Sequence, residues 1–211
     1  MKFNYDKCNI ILFHNTPRKE INYGNCANQC TCNHHYQFGN NLIKEVLIYK
    51  YLGVELDYRL TLSVFKNRIL SKSKSNMGRI WHMGIKGNNL SVKASVNLYQ
   101  ALVRSQLEYA SEVWGWDNFP DAESIQFNMG KIILGCSKKT CHAAVVGDLG
   151  WYSLKGRRNF RKLNYWYHIM TLDNNRILKQ VYLSTCNDKS TSWMGRIRDL
   201  LVFYGLGPIF K

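Results

Sequence analysis

Acidic residues are missing from a long stretch of this chain. Residues 58–107 contain nine lysines and arginines and no aspartate or glutamate, in a protein of 211 residues with 29 basic and 14 acidic side chains. A solvated helical surface usually mixes both signs of charge. A surface of one sign suits a polyanion, because each neutralised phosphate releases counterions. The net charge of +15 therefore points to nucleic acid, with an acidic protein partner as the alternative.

Long apolar runs are also absent. No run of 18 apolar residues occurs, so we expect no membrane span, and the apolar stretch 10–13 is too short for a secretory signal. We therefore expect an intracellular protein, cytoplasmic or nuclear, that is not secreted and whose seven cysteines stay reduced. The apolar content of 45% argues against a disordered chain.

Clusters of catalytic groups are scarce. Most acids are scattered, and Glu108 with Glu112, which share a helix face, fit packing and ordinary surface better than a two-metal site. The sequence contains no Ser/His/Asp arrangement, no nucleophile elbow and no phosphate-binding glycine loop. We therefore assign no catalytic residue to this chain.

Five soft metal ligands lie within ten residues of each other, namely Cys26, Cys30, Cys32, His34 and His35. Thiolates and imidazoles are the ligands that zinc prefers. The spacing is not that of paired two-residue turns, however, and no second half-site follows downstream. A cysteine-containing loop is therefore the favoured interpretation, and these five residues are weak zinc candidates.

The hydrophobic pattern predicts an α+β protein that is mostly α. Short apolar runs between turns favour strands within residues 1–57, with a loop at 21–41. Gly53 is predicted to supply a bend, next to a half-buried face formed by Val46, Ile48 and Leu52. From residue 58 the period becomes helical, and helices are predicted near 58–82, 91–114, 120–135, 140–149, 153–171, 174–186 and 191–204.

The predicted helix 58–82 has an apolar arc and a basic arc. The arc predicted to face the core consists of Leu62, Phe65, Ile69, Met77 and Ile80. Three basic residues, Arg68, Lys72 and Arg79, fall together on an adjacent arc. The candidate nucleic-acid-binding residues of the chain are Lys66, Arg68, Lys72, Lys74, Arg79, Trp81, Arg157 and Arg158.

Two of these candidate sets have an alternative interpretation. Trp81 lies at the end of the basic helix and is a candidate for stacking on a base or sugar, although most aromatic residues at helical spacing belong to a core. The stretch GRRNFRKL places Arg157, Arg158, Arg161 and Lys162 at the start of a later helix, where they form either a second phosphate contact or an ordinary solvated face.

Five segments of the chain, in the same order, resemble reverse transcriptases of non-LTR (LINE-type) retrotransposons. Residues 49–57, YKYLGVELD, resemble the primer-grip segment of that family. Residues 98–115 resemble its LYxxLVxSxLxYxxxxWG stretch, and residues 125–135 resemble its IQ…ILG stretch. Residues 149–158 resemble its ELGWxPLxxRR stretch, and residues 4–13 resemble the NxxKT…F segment before the primer grip. The resemblance therefore covers nearly the whole chain.

The sequence departs from the family at three places. Loop 21–41 does not align, and Asn128 and Gly130 replace basic residues of the family. The catalytic carboxylates of the family, an early palm aspartate and a YxDD pair, lie upstream of the segments that this chain contains. We therefore expect that it does not polymerise DNA alone and binds no cofactor, and that Mg²⁺ is needed by the complete polymerase.

The resemblance implies a domain organisation. It places a small β-strand palm remnant at 1–57, an α-helical thumb at 58–150 and a C-terminal helical extension at 151–211. The thumb helix would lie along an RNA/DNA primer–template without sequence preference, and the partner parts of the polymerase would be the missing fingers and palm.

The resemblance also assigns roles to two sites. Tyr51, Leu52 and Gly53 would form the primer grip, and Lys7 would lie near the phosphates of the incoming nucleotide. Two other functions stay open: a stand-alone basic nucleic-acid-binding module, with zinc in loop 26–35, and an interaction protein for an acidic partner.

Overall fold

A computed structural model describes residues 8–13, 36–39, 41–87, 89–185 and 193–207, and it confirms an α+β fold that is mostly helical. The chain divides into two compact units, Met1–Arg68 and Ile69–Lys211. The division into palm, thumb and extension stays a prediction. No helix within the described residues is long and apolar enough to cross a membrane.

The first unit contains short strands that pair two by two. The strands are β1 (Asn9–Ile10), β2 (Gln37–Phe38), β3 (Asn41–Leu42), β4 (Lys44–Glu45), β5 (Ile48–Tyr51) and β6 (Val54–Asp57). Strand β1 pairs with β4 in parallel, whereas β2 with β3 and β5 with β6 form antiparallel pairs. The described end of the predicted loop 21–41 thus takes part in a small hairpin.

The longest hairpin, β5–β6, has a two-residue turn. Leu52 and Gly53 both have positive φ angles, of 45° and 85°, as the type I′ hairpin turn requires. Glycine adopts this conformation without steric cost, so the predicted bend is confirmed at Gly53. The prediction of a half-buried face is wrong at Ile48 and Leu52, which are 47% and 74% exposed, because the hairpin presents these side chains to solvent.

Helices make up the rest of the described chain. In order they are α1 (Ser63–Ile80), the π-helical π1 (Trp81–Ile85), α2 (Val92–Leu98), the π-helical π2 (Tyr99–Arg104), α3 (Ser105–Leu107), α4 (Ser111–Trp114), α5 (Pro120–Leu134), α6 (His142–Asp148), α7 (Leu154–Thr171), α8 (Ile177–Thr185) and α9 (Trp193–Phe203).

Local sequence explains several of these boundaries. Helix α5 begins with Pro120 in its first turn and ends at Gly135, which has a φ of 64°. Helix α7 begins after Ser153, whose Oγ accepts a hydrogen bond from the backbone N–H of Gly156 at 3.0 Å. The predicted helix 91–114 is instead divided by π2 and by Ala110, which has a φ of 51°.

The apolar arc of α1 is buried largely as predicted. Phe65, Ile69 and Ile80 are at most 2% exposed, and Leu62 and Met77 are half-buried. The same side also buries Ser73 and Asn76. The side-chain N–H of Asn76 donates to the carbonyl oxygen of Leu102 at 2.7 Å, within π2. In a π-helical turn the backbone hydrogen bonds depart from the regular α-helical pattern, and here the Asn76 amide supplies a hydrogen bond to a backbone carbonyl of the second unit.

Two apolar groups fill the second unit. In the first, the rings of Tyr99 and Trp151 stack with centroids 4.5 Å apart. The Tyr99 hydroxyl donates to Oε1 of Gln126 at 3.0 Å, and Gln126 in turn donates to the carbonyl of Tyr152 at 3.0 Å. The second group joins α7, α8 and α9 through Trp166, Ile169, Tyr182, Met194, Ile197 and Leu201.

Candidate nucleic-acid interface

The predicted primer-grip turn is exposed and is anchored by an arginine. Tyr51 and Leu52 are 58% and 74% exposed. Arg68 donates to the Glu55 carboxylate at 2.5 Å and, through Nη2, to the carbonyl oxygen of Gly53 at 2.5 Å. Charge-assisted hydrogen bonds of this kind fix geometry as well as adding energy. Arg68, predicted to bind nucleic acid, is therefore already engaged in holding the turn.

The carboxylate at the end of the same hairpin is buried. Asp57, 6% exposed, accepts hydrogen bonds from the backbone N–H of Arg59 at 2.8 Å and from the N–H and hydroxyl of Thr61 at 3.2 and 2.5 Å. Burial alone raises the pKa of Asp57, but the hydrogen bonds from Thr61 and Arg59 outweigh it and leave that pKa below its ordinary value. The hydrogen bonds to Asp57 therefore fix the conformation of the short segment between the hairpin and α1.

Exposed cations lie along α1. Lys72, Lys74 and Arg79 are exposed, and within the described part of the chain they have no hydrogen-bond or ion-pair partner. Lys72 and Arg79 lie nearly two turns apart on one flank, as the helical period predicts. Lys66 is half-buried and has an interaction of its own. The structure thus leaves three of the predicted α1 cations available to a ligand.

A shallow apolar groove opens on the other flank of this helix, within the second unit. It has a volume of about 330 Å³ and is lined by Lys74, Met77, Gly78, Trp81 and Ile132. The Trp81 side chain is 37% exposed, and apart from the backbone of the helix itself no atom lies within 4 Å of the place where a Cβ of Gly78 would be. An indole face beside an ammonium group is the combination that holds a base or sugar next to a phosphate.

Arg157 and Arg158, the two arginines of α7 that were predicted to bind nucleic acid, have their contacts within the protein. Arg157 donates to the carboxylate of Glu108, which also accepts a hydrogen bond from Arg161 at 3.3 Å. Glu108 is 2% exposed, and its hydrogen bond raises the pKa of Arg157 above the ordinary value. The sequence alone favours packing or ordinary surface for Glu108. It follows Leu107 directly and so lies about 100° from it on a helix, which means that no local pattern marks it as buried. Once buried, its carboxylate requires a cationic partner.

Arg158 is buried more deeply, at 1% exposure. Its guanidinium lies over the Phe119 ring, 5.9 Å from the centroid, and its Nε and Nη1 have no hydrogen-bond partner in the described part of the chain. Burial lowers the pKa of Arg158. The alternative of a solvated face is wrong for Arg158 and for Lys162, which is 2% exposed, because α7 turns both side chains into the interior. A phosphate contact by Arg158 has no support in this arrangement.

Several predicted residues lie outside the described residues, namely Lys7, Cys26, Cys30, Cys32, His34 and His35. Among the residues that the structure does describe, no group of three or more His, Cys, Asp and Glu side chains is arranged to hold a metal ion. The roles of these six residues stay predictions.

Comparison with known proteins gives two distant relatives. No family model matches the chain, and no solved structure matches it. The RNA-directed DNA polymerase from mobile element jockey of Drosophila melanogaster is 27% identical over 115 residues, which are 54% of this chain and 11% of that protein. The probable RNA-directed DNA polymerase from transposon X-element of the same species is 26% identical over 90 residues, 41% of this chain and 10% of that protein. The chain thus spans about a tenth of these relatives and is distantly similar to RNA-directed DNA polymerases of Drosophila non-LTR mobile elements.

Proposed function

We propose that this chain is part of a retrotransposon-type RNA-directed DNA polymerase and supplies a binding surface for the primer–template duplex. The observation that carries the proposal is the set of exposed, unpartnered cations of α1: Lys72 and Arg79 on one flank, and Lys74 beside the Trp81 groove on the other. The acid-free stretch 58–107 supports a polyanionic ligand, and the two distant relatives support the polymerase family.

The binding is to the backbone of the duplex and does not depend on sequence. Lysine and arginine side chains on phosphates fix the position of a duplex without reading its bases. Trp81 packs against a sugar or an end base from the groove that it shares with Lys74. In this proposal residues 58–150 act as the thumb of the polymerase.

The hairpin turn has a separate role in the proposal. Tyr51, Leu52 and Gly53 contact the 3′ end of the primer as a primer grip, where glycine permits a close approach of the backbone. The exposure of Tyr51 and Leu52 and the bond from Arg68 to the Gly53 carbonyl support a turn that is both accessible and rigid. A polymerase needs such rigidity to hold the primer terminus in line for reaction.

The proposal assigns binding to this chain and no step of polymerisation. Metal-dependent phosphoryl transfer needs clustered carboxylates, and the described residues contain no such cluster. Mg²⁺ would act in the complete polymerase.

The test is the salt dependence of binding to RNA/DNA hybrids of unrelated sequences, measured by fluorescence anisotropy. The triple variant Lys72→Gln, Lys74→Gln and Arg79→Gln removes up to three phosphate contacts. We expect the log–log slope of affinity against salt to fall by about 2 to 3, with a similar loss for every sequence.

The matched control removes three exposed cations elsewhere, with Lys138→Gln, Lys139→Gln and Arg176→Gln. Both triple variants lower the net charge equally, so an equal loss of affinity in both would overturn the assignment to α1. Unchanged hybrid binding in the α1 variant would do the same. Affinity for a protein partner that persists at high salt would instead favour the alternative of an interaction protein, because salt screens exposed charges and not the apolar contacts of a protein interface.

A further inference from the structure

A second pocket combines cations with aromatic rings at some distance in sequence from α1. It lies between α7, α9 and the segment after α4, has a volume of about 550 Å³, and includes Trp116, Lys155, Lys162 and Arg196 in its lining. Phe203, which is 77% exposed, lines its edge. None of these residues belongs to the proposed duplex-binding surface.

Lys162 is the most unusual group in this pocket. It is 2% exposed, although a lysine is almost never fully buried without a charged partner. Its ammonium donates to Oδ1 of Asn159 at 3.2 Å and lies over the Trp116 ring, 4.3 Å from the centroid. Within the described part of the chain it forms no ion pair, so the three donors of this ammonium have one oxygen acceptor.

The charges around Lys162 leave a surplus of positive potential. Lys155 and Arg196 join it in the lining, and the Arg196 guanidinium lies 5.8 Å from the centroid of the same Trp116 ring. Asp117 and Asp199 also line the pocket, so three cations face two carboxylates. Burial first, and then the charge of Arg158, lower the pKa of Lys162 to about 8; the charge of Asp117 opposes this shift, and the charges of Arg196 and Lys155 add to it. A bound anion would relieve this repulsion.

We propose that this pocket binds a nucleotide, with its phosphate on Lys155, Lys162 and Arg196 and its base against Trp116. Ammonium and guanidinium groups bind phosphate through charge-assisted hydrogen bonds. The exposed Phe203 ring supplies a face on which a base stacks, beside the Trp116 indole that Lys162 already contacts. The ligand is either a free nucleotide or one nucleotide of a single strand, since both present the same phosphate and base.

The first experiment titrates the full chain with adenosine 5′-monophosphate and follows the indole resonance of Trp116 by NMR, assigned with Trp116→Phe. We expect this resonance to shift with saturable binding. Inorganic phosphate should bind at least about tenfold more weakly, and adenosine more weakly still, because each lacks one half of the contacts. Tighter binding of a short single-stranded oligonucleotide would identify a strand as the source, and equal or weaker binding would identify a free nucleotide.

Variants then separate this pocket from the rest of the basic surface. Arg196→Gln should weaken nucleotide binding about tenfold, whereas Arg176→Gln, an equal charge change at an exposed arginine outside the pocket, should leave it within about twofold. Lys162→Met should abolish binding, and Arg196→Gln keeps the test valid where Lys162→Met fails to fold. Equal effects of the two arginine variants, no shift of Trp116, or phosphate binding as tight as nucleotide binding would each overturn the proposal. The α1 triple variant should retain nucleotide binding, so this inference and the proposed duplex binding fail separately.

Discussion

Helices α1 and α7 look alike in the sequence and differ in the structure. Each has 18 residues and contains five lysines and arginines without an acid. Helix α1 leaves Lys72, Lys74 and Arg79 exposed and unpartnered in the described chain. Helix α7 instead buries Arg158 and Lys162 and directs Arg157 onto Glu108. The number of charges in a helix therefore does not tell which of them meet solvent.

The neighbours of each helix explain the difference. Helix α7 packs against α4, α5, α8 and α9, so other helices cover much of its circumference. The cations on that circumference need an acid, an amide or an aromatic face, and they find Glu108, Asn159 and the rings of Phe119 and Trp116. Cations at the exposed positions of α1 need no such partner within the protein, so they are available to an external ligand.

The substitution with the largest expected effect on the contrast between α7 and α1 is Glu108→Gln. It removes the buried carboxylate shared by Arg157 and Arg161 and leaves two cations without their counter-charge. Both arginines are partly exposed, so we expect a loss near the lower end for a broken buried pair, about 3 kcal/mol in the free energy of unfolding. Urea unfolding of the variant checks this value.

Asp148→Asn provides the control for Glu108→Gln, because it neutralises an exposed carboxylate with the same charge change. It should alter the free energy of unfolding by less than about 0.5 kcal/mol. Similar losses in the two variants would show that net charge, and not the buried pair, governs stability.

The next variant, Lys162→Met, tests whether the buried ammonium group of Lys162 lowers the free energy of unfolding. The pKa of Lys162 is lowered to about 8 in the folded chain against 10.5 for an ordinary lysine, so the unfolded chain binds more protons between these values. Stability should therefore rise with pH in this window. From about pH 7 to about pH 9.5, we expect the free energy of unfolding to rise by about 2 kcal/mol more in the natural protein than in the variant.

Urea unfolding at both pH values measures this difference. Remaining below the ordinary pKa of tyrosine keeps Tyr99 out of the comparison, because burial raises the pKa of Tyr99 and makes its contribution to stability fall at still higher pH. Parallel pH curves for the natural protein and Lys162→Met would show that the ammonium is as well solvated in the folded chain as in the unfolded one.

A smaller effect is expected from the buried side of α1. Asn76→Ala removes the amide that donates to the Leu102 carbonyl in π2 at 2.7 Å, and it leaves that carbonyl without this partner. We expect a loss of about 1 kcal/mol in the free energy of unfolding. Asn67→Ala, at an exposed position of the same helix, should be neutral or slightly stabilising, because alanine favours helix. Equal values for the two variants would mean that the hydrogen bond contributes nothing.

The contrast between α1 and α7 also shows which features of the fold could be predicted from the sequence. The helical periods predicted the presence of the major helices, and the positions of Phe65, Ile69 and Ile80 on one arc predicted a buried side of α1. Periodicity describes one helix at a time. The contact of Arg157 with Glu108 joins α7 to the residue that follows α3, 49 positions earlier in the sequence, so no local pattern predicts it.

The features of the candidate nucleic-acid interface divide in the same way, into those that the period of one helix predicts and those that depend on tertiary packing. The exposure of Lys72 and Arg79 could be predicted, since both fall outside the apolar arc of α1. The bond from Arg68 to the Gly53 carbonyl could not, because it depends on how the hairpin meets the start of α1 within the first unit. The burial of Arg158 also contradicts the usual expectation that arginine is exposed, and it depends on the packing of α7.

The smallest effect on stability should come from the exposed side of α1. The double variant Lys72→Gln and Arg79→Gln removes two charges that have no hydrogen-bond or ion-pair partner in the described chain, and glutamine is as good a helix former as the residues it replaces. The free energy of unfolding should change by less than about 0.5 kcal/mol, measured in urea. A loss above about 1 kcal/mol would mean that these cations have structural partners as those of α7 do, and the proposal that they are available to nucleic acid would lose its basis. A small change, together with weaker hybrid binding, would show that the cations of α1 contribute to binding without contributing to the fold.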